Sequence, residues 1–310
     1  MKGTGSRYRT FRIGTRSSPL ARAQAAEVVA ALRAAGPGVR PEIVTLSTKG
    51  DRHKDVPLSS MERGMFVQEI NRALLDREID AAVHSAKDLP APALEGVSIA
   101  AICERRDPRD VLINRWDSAL AALPAGARLG TGSPRRTALL ASMRPDLRVV
   151  SIRGNVGTRI ARVGTGEYDG VVVAAAGLQR LGLTASASEY LDPEVFTPDV
   201  GQGALIVQVR DDDAEAARIA SLADHAQTRT AVSAERAFLL AIGGGCSVPV
   251  AAYASVAEGR LRMRAMASTP DGGQMFRQSL DLDPSDPVAG GRALAETLID
   301  AGASAILRGG

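Results

Sequence analysis

The chain has 310 residues, 45% of them hydrophobic and 24% charged, which is enough for two or three domains of ordinary size. A net charge of +3 argues against a DNA-coating polybasic surface, and 3% aromatics leave few stacking platforms for a single-stranded nucleic-acid binder. Two cysteines give no disulfide framework, and neither a leader pattern nor a membrane-length apolar run of ~20 residues is seen, so the expected setting is the cytoplasm, with no membrane partner.

In chain order, the patterning predicts a strand at 9–15, an Ala-rich amphipathic helix at 20–35 and a strand at 42–48. A helix at 66–78 and a buried strand at 79–85 follow. This βαβ alternation implies a largely parallel sheet with helices on both faces and a ligand at the carboxyl ends of the strands. A run at 97–103 carries Cys103, read as a small buried hydrophobe. A second alternating block begins near Asp110, with strands at 128–131, 148–152 and 170–175 and helices at 135–143 and 156–165. The two blocks echo each other: Gly14-Thr15-Arg16-Ser17-Ser18-Pro19 and Gly130-Thr131-Gly132-Ser133-Pro134 each set Ser as an N-cap and Pro as the first helical residue.

The last third changes texture. A helix at 230–241 leads to Gly243-Gly244-Gly245-Cys246, then strands at 250–256, 260–267 and 274–282 and a closing helix at 288–301. The fold class expected is α/β: two similar lobes facing each other across a cleft, plus a small C-terminal α+β domain with a three-stranded antiparallel sheet.

Three strand-to-helix junctions place hydroxyls and guanidiniums where free N–H groups and a helix dipole already favour an anion. They hold Arg16 and Ser18; Thr131, Ser133, Arg135 and Arg136; and Arg153 and Arg159. Singly, each arginine reads first as a solvated or salt-bridged surface residue. Together they point to one extended ligand rich in carboxylates, which arginine recognises in a planar, bidentate way.

At the end of a buried strand, Ser85, Lys87 and Asp88 sit where such a cleft opens. Lys87 and Asp88 read either as a structural ion pair or as an anion contact beside a general acid/base. Three glycines ahead of Cys246 allow a sharp approach of the sulfur to a ligand, and the residues alone leave an inert and an attached thiol both open. His53, His84 and His225 have no metal-ligand spacing, so no metal is expected, and no phosphate-binding glycine fingerprint follows a strand.

Taken in order, the segments 14–21, 83–90, 104–110, 130–136, 152–159, 176–182, 200–204, Glu235-Arg236 and 244–249 resemble the porphobilinogen deaminase (hydroxymethylbilane synthase) family over nearly the whole chain. The resemblance implies a transferase that joins four porphobilinogen units, each losing ammonia, onto a dipyrromethane cofactor, and releases the linear tetrapyrrole by hydrolysis. It implies that Cys246 carries the cofactor by a thioether, and that Asp88 handles the pyrrole proton and the positive charge of the azafulvene step.

Carried over position by position, it implies that Arg16, Ser18, Ser85, Lys87, Thr131, Ser133, Arg135, Arg136, Arg153, Arg159 and Arg180 hold cofactor and substrate carboxylates. Two lobes like those of periplasmic binding proteins are implied, with lobe 1 at 1–104 and 201–223, lobe 2 at 105–200, the cofactor-attachment domain at 224–310, and a monomer as the working form.

The segment 59–66 departs from the family's glycine-rich, lysine-containing lid: it looks about one residue shorter, with Arg63 near the lysine position and Phe66 at its end. Ser247 stands where Gln or His is commoner, and Pro134 replaces an apolar residue. Two alternatives are a cytoplasmic two-lobed polycarboxylate-binding protein, which would need neither Asp88 nor Cys246, and a paralogue acting on a modified pyrrole.

Overall fold

The structure is a computed structural model and describes residues 10–36, 39–46, 67–92, 94–243 and 248–307. Arg63, Phe66 and Cys246 lie outside the described residues.

Lobe 1 is built on β1 (Thr10–Arg16), β2 (Arg40–Leu46), β3 (Ala81–Ser85), β4 (Val97–Ile102) and β10 (Leu205–Arg210), in the order β2-β1-β3-β10-β4. Helix α1 (Pro19–Ala35) covers one face through Val28 and Leu32, packed on Phe11, Ile13, Val83 and Val207. Helix α2 (Gln68–Leu75) covers the other through Ile70 and Leu74, packed with Ile79 and Val97. Each of these fully buried aliphatic side chains contributes roughly 1.5–3 kcal/mol of burial. Helix α1 starts where expected, with the Ser18 hydroxyl accepting from the Ala21 N–H at 3.2 Å ahead of Pro19.

Lobe 2 repeats the pattern. Its strands β5 (Asp110–Asn114), β6 (Arg128–Gly130), β7 (Arg148–Val150), β8 (Gly170–Ala174) and β9 (Glu189–Tyr190) run in the order β7-β6-β8-β5-β9. Helices α3 (Pro134–Met143), α4 (Val156–Ala161) and α5 (Ala175–Leu181) connect them. Ser133 caps α3 by accepting from the Arg136 N–H at 3.4 Å, again ahead of a proline.

Both sheets are mixed, where the sequence pattern implied a largely parallel one. In lobe 1, β10 runs antiparallel to β3 and β4; in lobe 2, β5 runs antiparallel to β8 and β9. The physical reason is the connection. Strands β5 and β10 are the two that the chain enters directly from the other lobe, so neither needs the helical crossover that parallel neighbours require. Helix α6 (Ala214–Ala220) follows β10 and returns to the α1 face through Ala216, Ile219 and Ala220.

The C-terminal unit stacks α7 (Ala226–Ala241) and α8 (Pro287–Leu298) on an antiparallel sheet of β11 (Val250–Ala257), β12 (Arg260–Ser268) and β13 (Met275–Leu282). Phe238, Leu294, Leu298, Leu261 and Met263 fill the layer between. The chain closes with α9 (Ser304–Leu307). Ala251 and Met266, on the opposite sheet face, join the lobe 2 core beside Phe196.

Glu235 ties this unit to the hinge. Fully buried on α7, it accepts from Arg105 at 2.8 Å, the Gly201 N–H at 2.7 Å and the Ala254 N–H at 2.7 Å. Arg236 next to it donates to the carbonyls of Leu89, Pro90 and Ala91 of lobe 1.

Candidate active site

The parallel strands β1, β3, β6, β7 and β8 aim their carboxyl ends at the cleft, and the sequence-selected residues follow those ends. In lobe 1, β1 ends at Arg16, and β3 runs into a single 3₁₀ turn, Ala86–Asp88. That turn is pinned by the Ala86 N–H donating to the Ala204 carbonyl at 3.0 Å. It leaves Ser85 and Lys87 half-buried and Asp88 exposed. Among the described residues the Asp88 carboxylate has no hydrogen-bond partner.

Beneath the turn, His84 is buried with its Nε2 unpartnered among the described residues, and burial together with the nearby Arg16 charge pulls its pKa down to about 4. His84 is therefore neutral near pH 7.

In lobe 2, Thr131 Oγ1 accepts from the Ser133 N–H at 3.1 Å, closing the turn that leads into α3. Asn155 caps α4 by accepting from the Thr158 N–H at 2.9 Å. Gly154, at φ +109°, takes a backbone conformation open to glycine, and its carbonyl receives Arg159 Nε at 2.8 Å. Burial and the neighbouring charges of Arg136 and Arg153 push the Arg159 pKa down to about 10. Two further guanidiniums thus lie within electrostatic reach of Arg159 at the strand ends of one lobe. Among the described residues, no carboxylate pairs with Arg159.

The two lobes meet at Gln202, which is 1% exposed. Its Oε1 accepts from Lys87 Nζ of lobe 1 at 3.4 Å and from Arg136 Nη2 of lobe 2 at 3.5 Å. Its Nε2 donates to Asp110 Oδ1 at 3.0 Å and the Pro108 carbonyl at 2.7 Å. Gly201 at φ +70° and Gly203 at φ +91° set this approach. A Cβ on Gly201 would sit 2.7 Å from Ala86 Cβ, so the hinge closes onto the Lys87 turn only with glycine there.

Asp110 is the counter-charge of this knot. Fully buried, it takes Arg135 Nη1 at 2.8 Å and Arg136 Nη2 at 2.7 Å. Burial alone would raise its pKa, but the two arginines overcome it and hold the carboxyl at about 2. Burial and the Arg136 charge lower the Lys87 pKa from the ordinary lysine value, against the opposing pull of Asp88, Asp199 and Asp110.

The description "Porphobilinogen deaminase, dipyromethane cofactor binding domain" matches residues 11–218, and "Porphobilinogen deaminase, C-terminal domain" matches 229–300. A curated porphobilinogen deaminase of Acidothermus cellulolyticus is 47% identical, covering 98% of this chain and 93% of that protein. The porphobilinogen deaminase of Roseiflexus sp. (strain RS-1) is 46% identical over 97% of this chain and 99% of its own. That of Syntrophomonas wolfei is 44% identical over 96% and 98%. The chain belongs to the porphobilinogen deaminase family.

A porphobilinogen deaminase binds a dipyrromethane in the domain matched here at 11–218. The residues present fit such a group, because the repulsion that Arg159 feels from Arg136 and Arg153 is what a carboxylate-bearing ligand relieves. Of the sequence-selected set, the structure brings Lys87, Arg135 and Arg136 together around Gln202 and Asp110. It places Arg16 beside His84 and gathers Arg153 and Arg159 at the α4 junction. Ser18 and Ser133 spend their hydroxyls as helix caps.

Arg180 stands apart from the Gln202 knot. Its guanidinium is 4% exposed, takes Glu27 of α1 at 3.0 Å and donates to the Gly203 carbonyl at 3.0 Å.

Sequence reasoning gave no role to Asp110, Gln202 or Glu27. Two consecutive arginines in the first turn of a helix that must bury one face were the available signal. Guanidiniums in such a place need a buried acid.

Proposed function

We propose that the chain is a hydroxymethylbilane synthase, joining four porphobilinogen units head to tail with loss of ammonia and releasing the linear tetrapyrrole by hydrolysis. The observation that carries this reading is the exposed Asp88 carboxylate beside Lys87, in a fold whose other lobe holds Arg159 with no acid on it among the described residues. Family membership over nearly the full length supports it.

In each addition the aminomethyl C–N bond of a substrate breaks, ammonia leaves, and a carbon–carbon bond forms to the pyrrole carbon that gives up a proton. Asp88 is suited to exchange a proton with the pyrrole nitrogen and to offset positive charge as the C–N bond breaks. Arg16, Arg153, Arg159 and Lys87 would hold the acetate and propionate side chains, and Arg135 and Arg136 would fix the cleft floor through Asp110.

The dipyrromethane, held through Cys246, supplies when bound the pyrrole carbon that accepts the first unit. Arg63 and Phe66 would belong to the lid. The reading includes lobes at 1–104 with 201–223 and at 105–200, an attachment domain at 224–310, and a cytoplasmic monomer.

The test is ammonia release from porphobilinogen, paired with intact mass. Turnover is expected, with a mass exceeding the sequence by two pyrrole units and the excess lost in Cys246→Ser. Absence of ammonia release from a correctly folded, cofactor-loaded protein overturns the activity and leaves the polycarboxylate-binding alternative. Full activity at the bare sequence mass overturns the tether.

A further inference from the structure

Strand alternation on β12 sends Leu261, Met263 and Ala265 into the core under α7 and α8. Arg262, Arg264 and Met266 therefore point to the opposite face, where Met266 packs against lobe 2. The β12–β13 register puts Ser279 opposite Arg264 and Arg277 opposite Met266, so all three arginines share that face. A cavity of about 210 Å³ opens there, lined by Arg262, Arg264, Arg277 and Ser279 from the sheet and by Glu194 and Thr197 from lobe 2.

The charges in this cavity do not balance. Arg264 pairs through Nη2 with Glu194, while its buried Nη1 has no hydrogen-bond partner among the described residues. Among the described residues the exposed Arg277 donates to the weak acceptor Met275 Sδ alone, at 3.1 Å. Among the described residues Arg262 has no acidic partner; Asp281 lies opposite it in the ladder, but no ion pair joins them. Three guanidiniums thus line one cavity in which Glu194 is the one carboxylate among the described residues. Like charges on neighbouring strands repel unless an anion lies between them.

We propose that this cavity is a binding site for a compact oxyanion carrying two or three negative charges as carboxylate or phosphate groups. Guanidinium planes suit either group by paired N–H donation, and the exposed Ser279 adds a hydroxyl donor. The volume admits a small ligand.

The site also touches the cleft. Thr197 lines it, and the Thr197 carbonyl receives Arg135 Nη1 at 2.7 Å, the same guanidinium that holds Asp110. A bound anion would join the C-terminal sheet to lobe 2 at the residue that anchors the cleft floor.

The test is the melting temperature of the full chain in inorganic phosphate or citrate, each against chloride at matched ionic strength. A saturable rise is expected with at least one anion, and the comparison of phosphate with citrate separates the two ligand sources. The double variant Arg262→Ser/Arg277→Ser, changed only at exposed positions, is expected to weaken the response at least tenfold while porphobilinogen turnover in chloride is kept. Subtracting the variant's response removes anion binding by the cleft arginines. An identical response in the variant, or no saturable rise with either anion, overturns the proposal.

Discussion

Two groups of lobe 2 arginines, alike in sequence, stand in opposite electrostatic situations. Arg135 and Arg136, with side chains 4% and 7% exposed, converge on the fully buried Asp110. Arg159, half-buried beside Arg153, bonds a carbonyl and meets no carboxylate among the described residues. The acids divide the same way: Asp110 is enclosed by its cations, and Asp88 is exposed with no hydrogen bond or ion pair among the described residues. Where the fold supplies the counter-charge, an arginine holds the structure; where it does not, the charge is left for a ligand.

The largest expected effect lies on the open side. Asp88→Ala should lower ammonia release by roughly 10²–10⁴, the usual scale for a lost general acid/base, with an unchanged melting curve. Near-normal turnover would remove Asp88 from the chemistry. On the closed side, Asp110→Asn should destabilise the fold by about 3–5 kcal/mol, since two buried guanidiniums lose their countercharge. Chemical denaturation checks this, and a wild-type midpoint would break the comparison.

Arg159→Leu should raise KM for porphobilinogen by about 10–100-fold, the equivalent of one charge-assisted hydrogen bond, with little loss of stability.

Acid should act on two separate windows. The folded-state pKa of His84 is depressed from 6.5 to about 4 by burial, and Arg16 adds to the shift. Its stabilising contribution is therefore complete above pH 6.5 and is lost as pH falls toward 4. Asp110 is depressed from 3.8 to about 2, so its contribution is lost only between those values. Denaturation against pH should show the first loss shrink in His84→Asn while the second remains.

The smallest effect concerns Lys87. Its lowered pKa means that a charge needed for binding disappears, as pH rises, below the ordinary lysine value of 10.5. The basic limb of kcat/KM should therefore fall early, and Lys87→Arg should move it upward.

Much of this layout was legible in the sequence. The Ser-Pro starts of α1 and α3 appear as read, because a capping hydroxyl and a proline at the first helical position are local signals. The three strands of the C-terminal sheet were also readable, from their turn residues.

Strands β5 and β10 were not legible. They are buried along their whole length, so they show no alternation, and nothing local says which sheet they enter. The same holds for the site. Residues at strand ends could be gathered from spacing, but the partners that decide their roles could not. Asp110 is 26 residues from Arg136, and Gln202 is 115 from Lys87. Only the return of β10 into the first lobe brings Gln202 to Lys87.

The most direct test of the division between closed and open charges is to measure KM and Tm together for Arg159→Leu and Asp110→Asn. The expected result is a crossed pattern: Arg159→Leu raises KM at nearly constant Tm, and Asp110→Asn lowers Tm first. A fall in Tm with unchanged KM for Arg159→Leu would contradict it.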